Sequence, residues 1–181
     1  MTELKCYGNI NVPVSVSVNN EVINYLVNNR PVIYIDTCSL VHMDEYKTLQ
    51  LLNTFFSFGC RIVVGSSVMY ELDKMVKHNM ELRNRAGNML QNIWNYQQMN
   101  MIFMQADGTP NFADPNFIFY VGGSLYQNIM IVTQDKKLME SLFRTKQCMK
   151  KAVENISSSY STRNCMIATI FNDVVTAVCC Q

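Results

Sequence analysis

Four acidic residues, Asp36, Glu71, Asp114 and Asp135, occur in a chain with few charges: Asp, Glu, Lys and Arg make up 16% of its 181 residues. Asp36 ends the apolar run "VIYI" at 32–35, and Asp135 follows "IMIVT", 129–133, by two residues. Glu71 falls in the first turn or so of a helix expected after "RIVVG", 61–65, and Asp114 immediately precedes another expected helix. Each acid has a local explanation. Asp36 and Asp135 can cap the turns or helices that follow them, Glu71 suits the positive end of a helix, and Asp114–Pro115 reads as an N-cap followed by Pro at the first helical position. Those explanations predict no common location, whereas metal chemistry does. Crowded carboxylates repel one another unless a cation neutralises them. Hard cations such as Mg2+ and Mn2+ take oxygen ligands. Such a site can activate water and stabilise charge developing on a phosphate, and two ions about 3.5–4 Å apart can grip both the attacking and the leaving oxygen.

The elements that must position these acids are legible as periodicity. "VPVSVSV", 12–18, alternates like a half-buried strand, and "EVINYLV", 21–27, suits a short helix before Arg30–Pro31 resets the chain. Buried strands are expected at 32–36, 61–65, 99–105 and 129–133. A helix over 44–58 carries Leu49, Leu52, Phe55 and Phe56 at helical spacing and stops at Gly59. Ser66 or Ser67 can cap a helix with Val68, Leu72, Met75 and Val76 on one face. After a break near 78–84, Ala86, Leu90, Ile93, Trp94 and Gln97 mark a second helix. "ADGTPNFADPN" is rich in turn residues, and helices are expected over 115–127 and from 135 onward. The tail "CMIATIFNDVVTAVCC" admits an apolar helix or a hairpin turning at Asn172–Asp173, and the β-branched residues flanking the turn pair favour the hairpin. Strands alternating with helices predict an α/β fold with a mostly parallel sheet and right-handed crossovers. Ligands of such sheets bind outside the carboxyl ends of the strands, where all four acids would fall.

Taken in order, "VIYIDTCSLV", "IVVGSSVMYELDKM", "FADPNFIFYVGGSLY" and "IMIVTQDKKLMESL" resemble four segments of the PIN domain, a metal-dependent nuclease fold. No single segment is distinctive; the ordered set is. The resemblance covers about 32–145. It implies a single PIN-like domain over 1–181, a three-layer α/β/α sandwich with a central, mostly parallel β-sheet. Further elements at 1–30 and 152–181 would supply sheet edges, an oligomer contact or a lid. It also implies that Asp36, Asp114 and Asp135 ligate Mg2+ or Mn2+, with Glu71 completing the pocket directly or through water. Thr37 and Thr133 would orient the acids. The implied activity is endonucleolytic hydrolysis of phosphodiester bonds, chiefly in single-stranded RNA, in RNA processing or as the toxin of a toxin–antitoxin pair. Where many members carry a further acid this chain has Asn116, which becomes a supporting group, and Lys137. A second metal would then bind weakly, or only with substrate.

On the substrate side, Lys136, Lys137, Arg144, Lys146, Lys150 and Lys151 follow Asp135 with Glu140 the only acid among them. A basic wall beside an acidic pocket suits a phosphate backbone, and a solvated helix face is the competing explanation. Lys74, Lys77, Arg83 and Arg85 are a second candidate wall. Tyr70 and Tyr120 could stack on bases, although aromatics at helical spacing more often pack, as Trp94 and the 13 Met are expected to. The alternatives are a PIN-like scaffold without catalysis that binds RNA or protein, a structure-specific DNA nuclease, and a response regulator, whose acid spacing fits badly. The seven Cys form no CxxC pair, which disfavours a disulfide framework or a zinc site and suits an intracellular setting, cytoplasmic or nuclear. No apolar run approaches the roughly 20 residues needed to span a bilayer, so no membrane partner is expected. The apolar tail leaves a homo-oligomer or another protein partner open.

Overall fold

The computed structural model describes residues 17–109, 111–123, 127–156 and 165–178. The chain runs β1 (Ser17–Val18), α1 (Asn20–Asn29), β2 (Val32–Ile35), α2 (Thr37–Val41), α3 (Glu45–Ser57), β3 (Arg61–Gly65) and α4 (Ser66–His78). It continues through α5 (Arg83–Gln98), β4 (Ile102–Gln105), α6 (Ala113–Gly123), β5 (Ile129–Val132), α7 (Lys136–Ile156), β6 (Cys165–Phe171) and β7 (Val174–Ala177). The strands form one seven-stranded sheet in the order β1-β7-β6-β5-β2-β3-β4. Helices flank it, and the fold is the expected α/β sandwich around a mostly parallel sheet; among the described residues β6 and β7 are the one antiparallel pair.

Why these strands are central follows from their sequences. β2 and β5 are apolar and buried at every position, as parallel strands covered on both faces must be. They lie side by side, Val32 opposite Ile129 and Ile35 opposite Val132. From β2 the chain proceeds outward through β3 to β4; from β5 it proceeds the other way to β6. Their exits therefore diverge, and the carboxyl ends of β2 and β5 border the crevice where ligands of open α/β sheets are bound.

The hairpin expected in the tail forms. Phe171 pairs with Val174, and the two residues between them, Asn172 and Asp173, both take positive φ (48° and 61°), the backbone of a tight two-residue turn. Gly59, at φ 71°, ends α3 as its sequence suggests. Of the strand expected at 12–18, only Ser17–Val18 lies within the described residues. No helix among the described residues is long and apolar enough to cross a membrane.

Several expectations need correction. The short helix α2 follows β2 directly and separates it from α3. In α3 the buried residues are Thr48, Leu51, Leu52 and Phe55; Leu49 is half-buried and Phe56 is 45% exposed, so the buried stripe is offset from the expected one. In α5 the core residues are Ala86, Met89 and Ile93, while Trp94 is 50% exposed. The helix expected over 115–127 begins at Ala113, so Asp114 lies inside its first turn instead of capping it.

The two adjacent phenylalanines of α3 make a direct test. Phe55→Ala should lower unfolding free energy by about 3–5 kcal/mol, since the side chain is fully enclosed. Phe56→Ala should change it by roughly 0.5 kcal/mol or less. Urea denaturation with an unchanged slope checks both; equal losses would contradict the assigned helix face.

Candidate functional site

Asp36 is buried at the carboxyl end of β2, 5% exposed, and every hydrogen bond it accepts comes from a neutral donor. Its Oδ1 accepts the Thr37 backbone N–H at 2.7 Å, which caps α2. Its Oδ2 accepts the Cys38 thiol at 2.7 Å and the Thr133 hydroxyl at 2.8 Å. Burial pushes the carboxyl above its usual range, a shift that these hydrogen bonds oppose and the nearby Asp135 charge reinforces. Burial also pushes the Cys38 thiol up, to about 12, helped by the Asp36 charge and by the hydrogen bond to it, so the sulfur remains protonated and can donate.

Thr133, fully buried after β5, joins the two strand ends. Its hydroxyl donates to Asp36 and accepts the backbone N–H of Asp135 at 3.0 Å. Asp135 in turn caps α7, its Oδ1 accepting the N–H groups of Lys137 (2.7 Å) and Leu138 (3.1 Å). Glu71, on α4, ties three elements together. Its Oε2 accepts the Thr37 hydroxyl at 2.5 Å and its Oε1 accepts the Ala113 N–H, the first of α6, at 3.0 Å.

Asp114 differs from the other three. Among the described residues its carboxylate has no hydrogen-bond or ion-pair partner. Partial burial, and then repulsion from Asp36, Asp135 and Glu71, raise its carboxyl from about 3.8 to about 6. Each of the other acids thus acts on Asp114, and the four acids that lie far apart in sequence share one electrostatic neighbourhood. None of the described ion pairs involves any of them.

As they stand, no three His, Cys, Asp or Glu among the described residues are grouped so that they could hold a metal ion. The chemistry of the donor set nevertheless fits a hard divalent cation. The four acids offer carboxylate oxygens, none of the described ion pairs ties them to a basic side chain, and Asp114 feels a repulsion that a cation would reduce.

A fifth strand-end acid, Asp107, escaped the sequence reading because Asp-Gly there reads as a turn. The rule that singled out the other acids, a carboxylate just past a strand, would have found it behind β4. Its role is structural. Gly65 occupies the N-cap position of α4 and has no side chain to offer, so neither Ser66 nor Ser67 is the cap. Asp107 supplies the carboxylate from outside the helix, its Oδ2 accepting the Ser67 N–H at 2.7 Å and the Ser67 hydroxyl. Its Oδ1 accepts the hydroxyl of Tyr120. A methyl group on Gly65 would run into this carboxylate, which is why the position needs glycine.

The remaining candidates separate clearly. Asn116 is buried and braces the turn before α6: its amide donates to Thr109 O and Phe112 O, both at 2.9 Å, and to Ser67 Oγ at 3.2 Å, while its Oδ1 accepts the Thr109 N–H and hydroxyl. Tyr120 is core, stacked on Tyr34 with ring centroids 4.4 Å apart, whereas Tyr70 is 46% exposed. On α7, Lys136, Lys137 and Arg144 are exposed, but Lys146 donates to the Cys165 carbonyl at 2.6 Å and fastens the helix to β6. In the second basic group Lys77 pairs with Asp73 at 2.5 Å and Arg83 donates to Val76 O at 2.9 Å, which engages both at the α4–α5 corner.

No protein-family model matches the chain, and no curated protein matches it either.

Two substitutions test the contrasting surroundings of Asp107 and Asp114. Asp107→Ala should cost about 1–3 kcal/mol in a thermal or urea melt, through the lost cap and the orphaned Ser67 and Tyr120 hydroxyls. Asp114→Asn should do the opposite. Between pH 3.8 and about 6 the folded Asp114 keeps a proton that the unfolded chain has released, so its contribution to stability falls as pH rises and is lost above that window. In chelator at neutral pH the Asn variant should therefore be more stable, by about 1 kcal/mol or less because the residue faces solvent. The difference should vanish below pH 4; a variant less stable than the parent at pH 7.5 would show that the repulsion is not felt.

Proposed function

We propose that this protein is a PIN-like nuclease that hydrolyses phosphodiester bonds of single-stranded RNA with the help of Mg2+ or Mn2+. One observation carries the reading: Asp114 has no hydrogen-bonding or capping duty among the described residues, yet it is kept within the repulsive reach of three other acids. An acid with no structural task in a place that penalises its charge is the arrangement expected of a functional group.

Asp36, Asp114 and Asp135 would hold the cation, Asp36 and Asp135 from the two sides of the crevice between β2 and β5 and Asp114 from α6. Glu71 would complete the set, directly or through water. A bound divalent cation would offset part of the charge of the four carboxylates and would supply water activation and charge stabilisation at the scissile phosphate. The chain's own contribution is orientation. Thr37 holds Glu71, and Thr133 holds Asp36 while fixing the backbone at Asp135. Lys136 and Lys137 stand at the start of α7 beside Asp135 and Arg144 lies about two turns further along, where they suit phosphates of the substrate strand. Lys146 contributes less, because its ammonium already serves the β6 carbonyl.

A binding module without catalysis is the second reading. It is favoured by the spacing of the acids, which are near enough to repel but not grouped to chelate as they stand. Cleavage assays decide between the two. The purified protein should cut a mixed-sequence single-stranded RNA with Mn2+ or Mg2+ and stop when the ion is chelated. Asp36→Asn, Asp114→Asn and Asp135→Asn should each lower the rate by about a hundredfold or more while the circular-dichroism melt stays cooperative. RNA left intact by the parent protein with either ion would overturn the nuclease and leave the binding module, and preferential cutting of branched DNA would replace the substrate class.

A further inference from the structure

Two neutral donors converge on the same oxygen of Asp36. Cys38 and Thr133 both donate to Oδ2, at 2.7 and 2.8 Å, whereas Oδ1 receives the single backbone N–H of Thr37. An ionised carboxylate offers about four lone-pair sites, two on each oxygen. The two donors fill those of Oδ2, and Oδ1 keeps one for a ligand. The thiol also faces the other strand end. Its sulfur accepts the Gln134 N–H at 3.3 Å and lies 3.7 Å from the Thr133 hydroxyl. Cys38 thus touches the carboxylate after β2 and the backbone step that leads to Asp135 after β5.

We infer that Cys38 is a positioning residue: it leaves Oδ1 of Asp36 as the oxygen that meets a divalent cation and sets the span between Asp36 and Asp135. This rests on the metal-dependent reading given above. Losing the thiol would free a lone pair on Oδ2, leave the Gln134 N–H without its acceptor and let the carboxylate turn. Thr133 would still hold Oδ2, so the expected effect is a weakened site, not a lost one. Groups that orient metal ligands from behind typically change metal affinity by about 10- to 100-fold when they are removed.

The test is Mn2+ binding to the full chain without RNA, by isothermal titration calorimetry, together with melting temperatures in chelator and in Mn2+. Cys38→Ser retains a donor and an acceptor; Cys38→Ala removes both, and Cys38→Val removes both while filling the space should the alanine variant fold poorly. The serine variant should bind Mn2+ nearly as the parent does. The alanine and valine variants should bind about 10- to 100-fold more weakly and show a smaller Mn2+-induced rise in melting temperature. A purely structural role would lower the melting temperature in chelator and leave the Mn2+-induced rise unchanged. Parent-like Mn2+ affinity in Cys38→Ala and Cys38→Val would overturn the inference and leave the nuclease reading intact. A serine variant as weak as alanine would overturn the hydrogen-bond argument. Absence of Mn2+ binding by the parent protein would overturn the metal-dependent reading and this inference together.

Discussion

The buried Thr133 hydroxyl, backed by the Cys38 thiol, joins the carboxyl ends of β2 and β5. It donates to Asp36 at the end of β2 and accepts from the backbone of Asp135 beyond the end of β5. The two strands are adjacent and parallel, but the chain leaves them in opposite directions, so no local element links their ends. Thr133 is fully buried, so this bond meets little competition from water.

The same constraint explains the choice of supporting groups. The hydrogen bonds that hold Asp36, Glu71 and Asp135 come from hydroxyls, a thiol and backbone N–H groups, and none of the described ion pairs includes them. Neutral donors fix a carboxylate in place without cancelling its charge. A Lys or Arg in their stead would stabilise the pocket and occupy it. The cost is visible in the raised carboxyls of Asp36 and Asp114. Like charges held this close reduce stability, and the rest of the fold, with β2 and β5 buried at every position, must offset that penalty.

Much of the fold was legible because its signals are local. Continuous apolar runs marked β2, β3 and β5, Gly59 marked the end of α3, and Asn172–Asp173 marked the hairpin turn. The errors fall where tertiary contacts outweigh local ones. Periodicity cannot separate Phe55 from Phe56, since adjacent helical positions differ by only 100° and the docking angle against the sheet selects between them. Asp114–Pro115 has the form of a cap, but α6 starts at Ala113, two residues before the expected 115, where Glu71 from α4 takes the Ala113 N–H. Asp107 was invisible as a cap for α4 because it acts across 40 residues.

The sequence by itself determined β2, β3 and β5, the α/β class and four acids at or near strand ends, because burial period and turn chemistry are written in neighbouring residues. Only the tertiary structure decided what each acid does. It gave Asp36, Glu71 and Asp135 hydrogen-bonded structural roles, set Asp107 apart as a helix cap, and left Asp114 with no partner among the described residues. Hydrogen-bond partners and like-charge repulsion depend on distances between segments dozens of residues apart, and those distances exist only once the sheet is assembled.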